Sequence, residues 1–183
     1  MLKITAACLA AVAALAGTPA SAAGPGQAER AKIDQFAAAL RAEHDRLGRA
    51  DGDFAQAMRG AFQQGSQDNA RAAVVRYANA LQGIVSAGAP PPRLGGCYAR
   101  AKPALVEARG LATTALNDRR TRVSALSAIT YRPLTLPDFG TVVMAPQAAQ
   151  KETKAIEAGL GKANAAAVAC QAEEKREASG HAP

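Results

Sequence analysis

Tryptophan is absent from this chain, and its 183 residues include only three tyrosines and four phenylalanines. Proteins that hold single-stranded nucleic acid stack bases on aromatic rings, so this scarcity argues against nucleic acid as a partner, even at a formal charge of +7. Histidine is almost as rare. His44 and His181 are the only imidazoles, and no Glu-x-x-His pair is present. The contiguous Glu43, His44 and Asp45 diverge by about 100° per step around a helix instead of converging on one ion. The haem-attachment pattern C-x-x-C-H, the G-x-S-x-G nucleophile elbow and a phosphate-cradling glycine loop are missing too. The expectation is therefore no metal, no cofactor and no identifiable catalytic residue. Strand patterning is as thin, with nothing longer than residues 141–144, and no internal repeat is evident.

Long apolar runs are confined to the first residues. Lys3 supplies a positive start, residues 4–16 an apolar stretch, and Ala20-Ser21-Ala22 a small-residue cleavage pattern, which together make a secretory signal peptide over 1–22. The run is too short for a membrane span, which takes about 20 apolar residues, and no later stretch qualifies. The expected mature chain begins near Ala23 and is periplasmic or secreted. It forms one helical domain over 23–178 with a disordered tail at 179–183.

What the chain does have is helical periodicity. Ile33, Phe36, Leu40 and Leu47 share a stripe on a first helix over 27–49, which Gly48 and Asp51-Gly52-Asp53 are expected to interrupt. Asp51 or Asp53 can then cap a short helix carrying Phe54, Met58 and Phe62 as far as Gly65. Residues 68–86 present Ala70, Val74, Tyr77, Leu81 and Ile84 on one face, before a linker with Pro90, Pro91 and Pro92. The long helix over 97–131 has a broad arc of Leu105, Ala108, Leu111, Ala112, Ala115, Leu116, Val123 and Leu126. A last helix, opened by Pro146, carries the narrow stripe Ala149, Ile156, Leu160, Ala163, Ala167 and Cys170. The predicted fold is an all-α antiparallel bundle of four main helices plus one short helix.

Cys8 falls in the leader, which leaves Cys97 and Cys170. In an oxidising compartment an even pair reads as a disulfide, and closing so long a loop constrains the unfolded chain by roughly 4 kcal/mol. The pair would meet if the last two long helices run antiparallel.

Two further features carry the functional expectation. Arg119 falls near the middle of the apolar arc, which predicts a buried ion pair with Glu43, also at a seam position. Residues 98–132 contain Arg100, Lys102, Arg109, Arg119, Arg120, Arg122 and Arg132 against only Glu107 and Asp118. The following irregular segment is rich in large apolar residues. These point to a non-enzymatic binding protein of inhibitor, immunity or assembly-factor type whose protein partner presents acidic surface. Lys102, Arg109 and Arg120 would steer encounter, and Leu136, Phe139 and Val143 would form the desolvated centre of contact. The alternatives are an anionic envelope ligand, lipid or glycan, held by the same arginines, and a hydrolase using an unrecognised carboxylate site.

Overall fold

The computed structural model describes residues 25–86, 88–128, 133, 135, 137–138, 140 and 146–180. The leader at 1–22, the tail residues 181–183 and the loop residues Leu136, Phe139 and Val143 lie outside them. The described chain is all-α, with α1 at Pro25–Gln63, α2 at Gln67–Ser86, a 3-10 helix at Gly96–Ala101, α3 at Lys102–Ala128 and α4 at Pro146–Ala178. There is no strand among the described residues. No helix there is long and apolar enough to cross a membrane.

Helix α1 corrects one expectation. It runs unbroken for 39 residues through Gly48 and Asp51-Gly52-Asp53, where an end and a separate short helix were predicted. A glycine inside an exposed helix costs only about 1 kcal/mol. Against that, Leu47, Phe54 and Met58 are all buried on the same phase, each worth roughly 1.5–3 kcal/mol. Continuing the helix keeps that phase, so the burial decides the outcome. Asp51 caps nothing: its carboxylate accepts bonds from two other helices.

The real break comes at Gly65. Its φ of 62° closes the end of α1, with Ser66 N–H donating to the Ala61 carbonyl at 2.9 Å. Ser66 Oγ then accepts from Asn69 N–H at 3.2 Å and caps α2. Pro103 sits in the first turn of α3, where a missing N–H costs nothing.

Buried side chains fall into two groups. One joins α1, α2 and α3 through Leu47, Phe54, Met58, Tyr77, Leu81, Leu116 and Leu126; we call it the α2 core. The other joins the start of α1, the 3-10 helix, α3 and α4 through Ile33, Leu40, Tyr98, Leu105, Ala108, Leu160 and Ala167; we call it the α4 core. Residues paired with α4 fall in number as those on the other strand of the contact rise: Cys97 with Cys170, Arg100 with Glu173, Glu107 with Lys162, Arg119 with Glu152. Gly159 lets α4 approach α3 closely, because a Cβ there would stand 3.1 Å from that of Ala108. Leu111, expected inside, is 38 % exposed, since the buried arc of α3 is narrower than its apolar pattern.

Candidate functional site

Between the two cores lies a belt of charged side chains. Arg119 is 2 % exposed and reaches three helices. Its Nε donates to Asp51 Oδ2 at 2.8 Å, its Nη2 to Glu152 Oε2 at 2.8 Å, and its Nη1 to the Ala115 carbonyl at 2.8 Å and Glu152 Oε1 at 3.2 Å. Burial alone would lower the guanidinium pKa, but the hydrogen bonds and charges of Glu152 and Asp51 outweigh it and raise it. Asp51 Oδ1 also accepts the Tyr77 hydroxyl. Burial first, and the Asp51 bond second, push the Tyr77 phenol well above its ordinary value, so it acts as a donor and stays protonated.

The inward direction of Arg119 matches the sequence reading, but its expected partner does not. Glu43 is buried yet bonds Arg109, whose Nη1 donates to Glu43 Oε2 at 2.5 Å. Charges on α1 and α3 pair at nearly constant offset, Glu43 with Arg109 and Asp51 with Arg119, so the two helices rise together. Choosing Asp51 and Glu152 as partners requires that offset, and a single helix's periodicity does not contain it.

The same pairing changes the meaning of the basic segment. Arg100 bonds Glu173 at 2.6 Å, while Arg109 and Arg119 are tied to Glu43, Asp51 and Glu152. Arg109 is therefore a partly buried ion-pair partner of Glu43, a contact that its expected place on the encounter surface did not include. Lys102 and Arg120 are exposed as expected, and among the described residues neither forms an ion pair.

Beside the belt, a cleft of about 400 Å³ is lined by His44, Asp45, Arg49, Asp51, Arg119 and Thr153. His44 Nε2 lies 2.9 Å from Thr153 Oγ1, and Thr153 Oγ1 in turn donates to the Ala149 carbonyl at 3.0 Å. With that proton directed to a carbonyl, the Thr153 oxygen is left to accept from His44 Nε2–H, while His44 Nδ1 is buried with no hydrogen-bond partner among the described residues. This polarity holds the hydroxyl proton away from the imidazole. It is the reverse of what activating Thr153 as a nucleophile requires.

Cys97 and Cys170 lie at bonding distance with Cα atoms 5.5 Å apart, as expected of an even cysteine pair. Glu174 is close enough to complete a three-ligand metal cluster with them. Sulfurs joined to each other offer no thiolate, however, and Glu174 Oε2 already accepts the Tyr98 hydroxyl at 3.1 Å. The arrangement is a cross-link with a polar brace. No protein-family model matches the chain, and neither a curated protein nor a solved structure matches it.

Proposed function

We propose that this chain is an exported helical interaction protein that recognises an acidic surface on a protein partner. The observation that carries this reading is the distribution of unpaired charge. Arg100, Arg109 and Arg119 are matched by carboxylates from other helices. Arg46, Arg49, Arg76, Lys102 and Arg120 are exposed and, among the described residues, form no ion pair. A surface left net positive in this way speeds association with an acidic partner and repels basic ones. The polar belt supports the same reading, because its donors and acceptors are spent on joining helices. The signal-peptide pattern at 1–22 supports an encounter outside the cytoplasm, and Leu136, Phe139 and Val143 are the apolar residues proposed for its centre.

The test is a pull-down from periplasmic extract with wild type, Phe139→Asp and a Lys102→Glu/Arg120→Glu double variant, followed by association kinetics with the recovered protein. The reading expects slower association for the double variant at low salt, with the difference shrinking as salt rises. It expects loss of capture for Phe139→Asp. Salt-sensitive binding to anionic vesicles or glycan with no protein recovered would replace this reading with that of an envelope-ligand binder.

A further inference from the structure

Residues 50–60 and 73–83 read ADGDFAQAMRG and AVVRYANALQG. Alanine recurs at 50 and 73, 55 and 78, and 57 and 80; glycine recurs at 60 and 83; and an aromatic ring stands at 54 and 77. Charge and polarity differ at the positions between, so the repeat is confined to the small and aromatic residues. In the fold the two copies lie side by side on α1 and α2. Phe54 and Tyr77 stack with ring centroids 4.4 Å apart and planes 12° from parallel. Above the rings runs a groove made of two adjoining hollows, about 250 and 450 Å³, which share Ala50, Asp53 and Ala80.

Both walls repeat at three- and four-residue spacing, 50, 53, 57 on α1 and 73, 76, 80, 83 on α2. That is the spacing of one helix face, and apart from Asp53 and Arg76 every position holds alanine or glycine. Walls this low let a third helix axis come close and sink larger side chains between them. The rim sets the sign of what fits. Arg46, Arg49 and Arg76 line the groove against a single carboxylate, Asp53, and none of the four forms an ion pair among the described residues. A second copy of this chain would bring like-charged rims face to face, which disfavours self-association.

We infer that the α1/α2 groove is the docking seat for an amphipathic helix of another protein, one whose apolar ridge is flanked by aspartate or glutamate. The inference rests on the interaction-protein reading and adds to it the partner's shape and a site built from residues other than 131–145. The ridge enters between Ala57 and Ala80 over the Phe54–Tyr77 stack, and the flanking acids meet Arg46, Arg49 and Arg76 at the rim, where they set register and on-rate.

The experiment places a photo-reactive benzoylphenylalanine in the full chain, expressed in cells that export it. It replaces Ala80, Ala57 or, on the opposite face of α2, the exposed Val75. Ala80 is itself exposed, so that variant keeps the core intact, and its thermal melt should match wild type. The expected result is one adduct from positions 80 and 57 and none from 75. Mass spectrometry should map the adduct to a helical, acid-flanked segment of a different protein, and its yield should drop several-fold in an Arg46→Gln/Arg49→Gln/Arg76→Gln background. Cross-linking to a second copy, to lipid, equally from position 75, or to nothing overturns the inference, as does an adduct indifferent to the arginine changes. If capture still responds to Lys102→Glu/Arg120→Glu or Phe139→Asp while the groove yields no adduct, the groove alone fails. If no protein is captured by any route, the broader reading fails with it.

Discussion

The α2 core and the α4 core share α1 and α3 yet are held by different means. In the α2 core, Phe54, Met58, Tyr77, Leu81, Leu116 and Leu126 fill the space between helices, and burial of large side chains carries most of the stabilisation. In the α4 core, Ala37, Ala101, Ala108, Ala112, Ala163 and Ala167 let the axes close in, so each residue removes less apolar area from water. That side carries the covalent link between Cys97 and Cys170 and a series of interhelix polar contacts: Arg41 with Glu157, Arg100 with Glu173, Lys162 with Glu107, and Tyr98 with Glu174. A core poor in volume is thus compensated by cross-linking, as in small secreted domains. Arg119 stands where the two regimes meet.

Removing that joint should do most damage. Arg119→Ala leaves Asp51 and Glu152 as partly buried carboxylates without their cation, which costs roughly 3–5 kcal/mol. Arg120→Ala, one position along on the exposed face, should stay within about 0.5 kcal/mol of wild type. Urea denaturation of both measures the difference, and equal midpoints would mean that Arg119 does not bind the cores together.

Breaking the disulfide comes next. Reduction, or Cys97→Ala with Cys170→Ala, should cost roughly 2–4 kcal/mol. Hydrogen exchange should show the loss of protection concentrated around Leu160–Ala167 and Leu105–Ala108, with Met58 and Leu81 less affected. Thiol titration of the denatured, unreduced chain lacking residues 1–22 should find no free thiol; two thiols would remove the covalent half of the comparison.

A smaller change tests how tightly the alanine side is packed. Gly159→Val forces branched carbon against Ala108, already 3.1 Å from an added Cβ, at a cost of about 1–3 kcal/mol. The same substitution at Gly161, whose surroundings are open, should be neutral or stabilise by a few tenths of a kcal/mol, because valine is the better helix former. A shared melting temperature for the two would show that the helices can move apart freely.

The smallest effect is electrostatic. The Arg41 hydrogen bond holds the Glu157 carboxyl below its ordinary pKa. The pair's contribution is therefore complete above the unfolded carboxylate pKa of about 4.3 and is lost as pH falls through the lowered folded value. Both side chains are about half exposed, so solvent screening limits it to a few tenths of a kcal/mol. Glu157→Gln should lower the urea midpoint slightly at neutral pH and leave it unchanged once wild-type Glu157 is protonated.

The sequence made these two cores partly visible. Ile33, Phe36 and Leu40, Val74, Tyr77 and Leu81, and Ile156 and Leu160 all sit where periodicity puts them, because burial on one helix face is a local property that the chain repeats every turn. The cysteine pair was legible because Cys97 and Cys170 are an even pair beyond the leader pattern. What escaped depended on relations between helices. Gly48 and Asp51-Gly52-Asp53 look like a boundary until Leu47, Phe54 and Met58 are seen to need one continuous phase. Arg119 could be placed inward, but Glu43 could not be rejected without knowing that α1 and α3 rise together. The basic count of α3 suggested an open cationic face, whereas acids on α1 and α4 close much of it. The groove went unseen because its walls are alanines and glycines, which read as helix filler in one dimension.

The pairing of α1 with α4 also fixes a timetable. Helices α1 and α2 are joined by a three-residue turn and can zip together as soon as both have emerged, since closing so short a loop takes little entropy. The first half of α1 has to wait. Arg30, Arg41 and His44 find their partners at Asn164, Glu157 and Thr153, more than a hundred residues later. Cys97 likewise has no sulfur to meet until Cys170 arrives. Oxidation of this pair therefore cannot precede the arrival of Cys170 on the last helix. A chain interrupted before α4 would present a half-zipped α1, with Ile33, Phe36 and Leu40 open to chaperones and proteases.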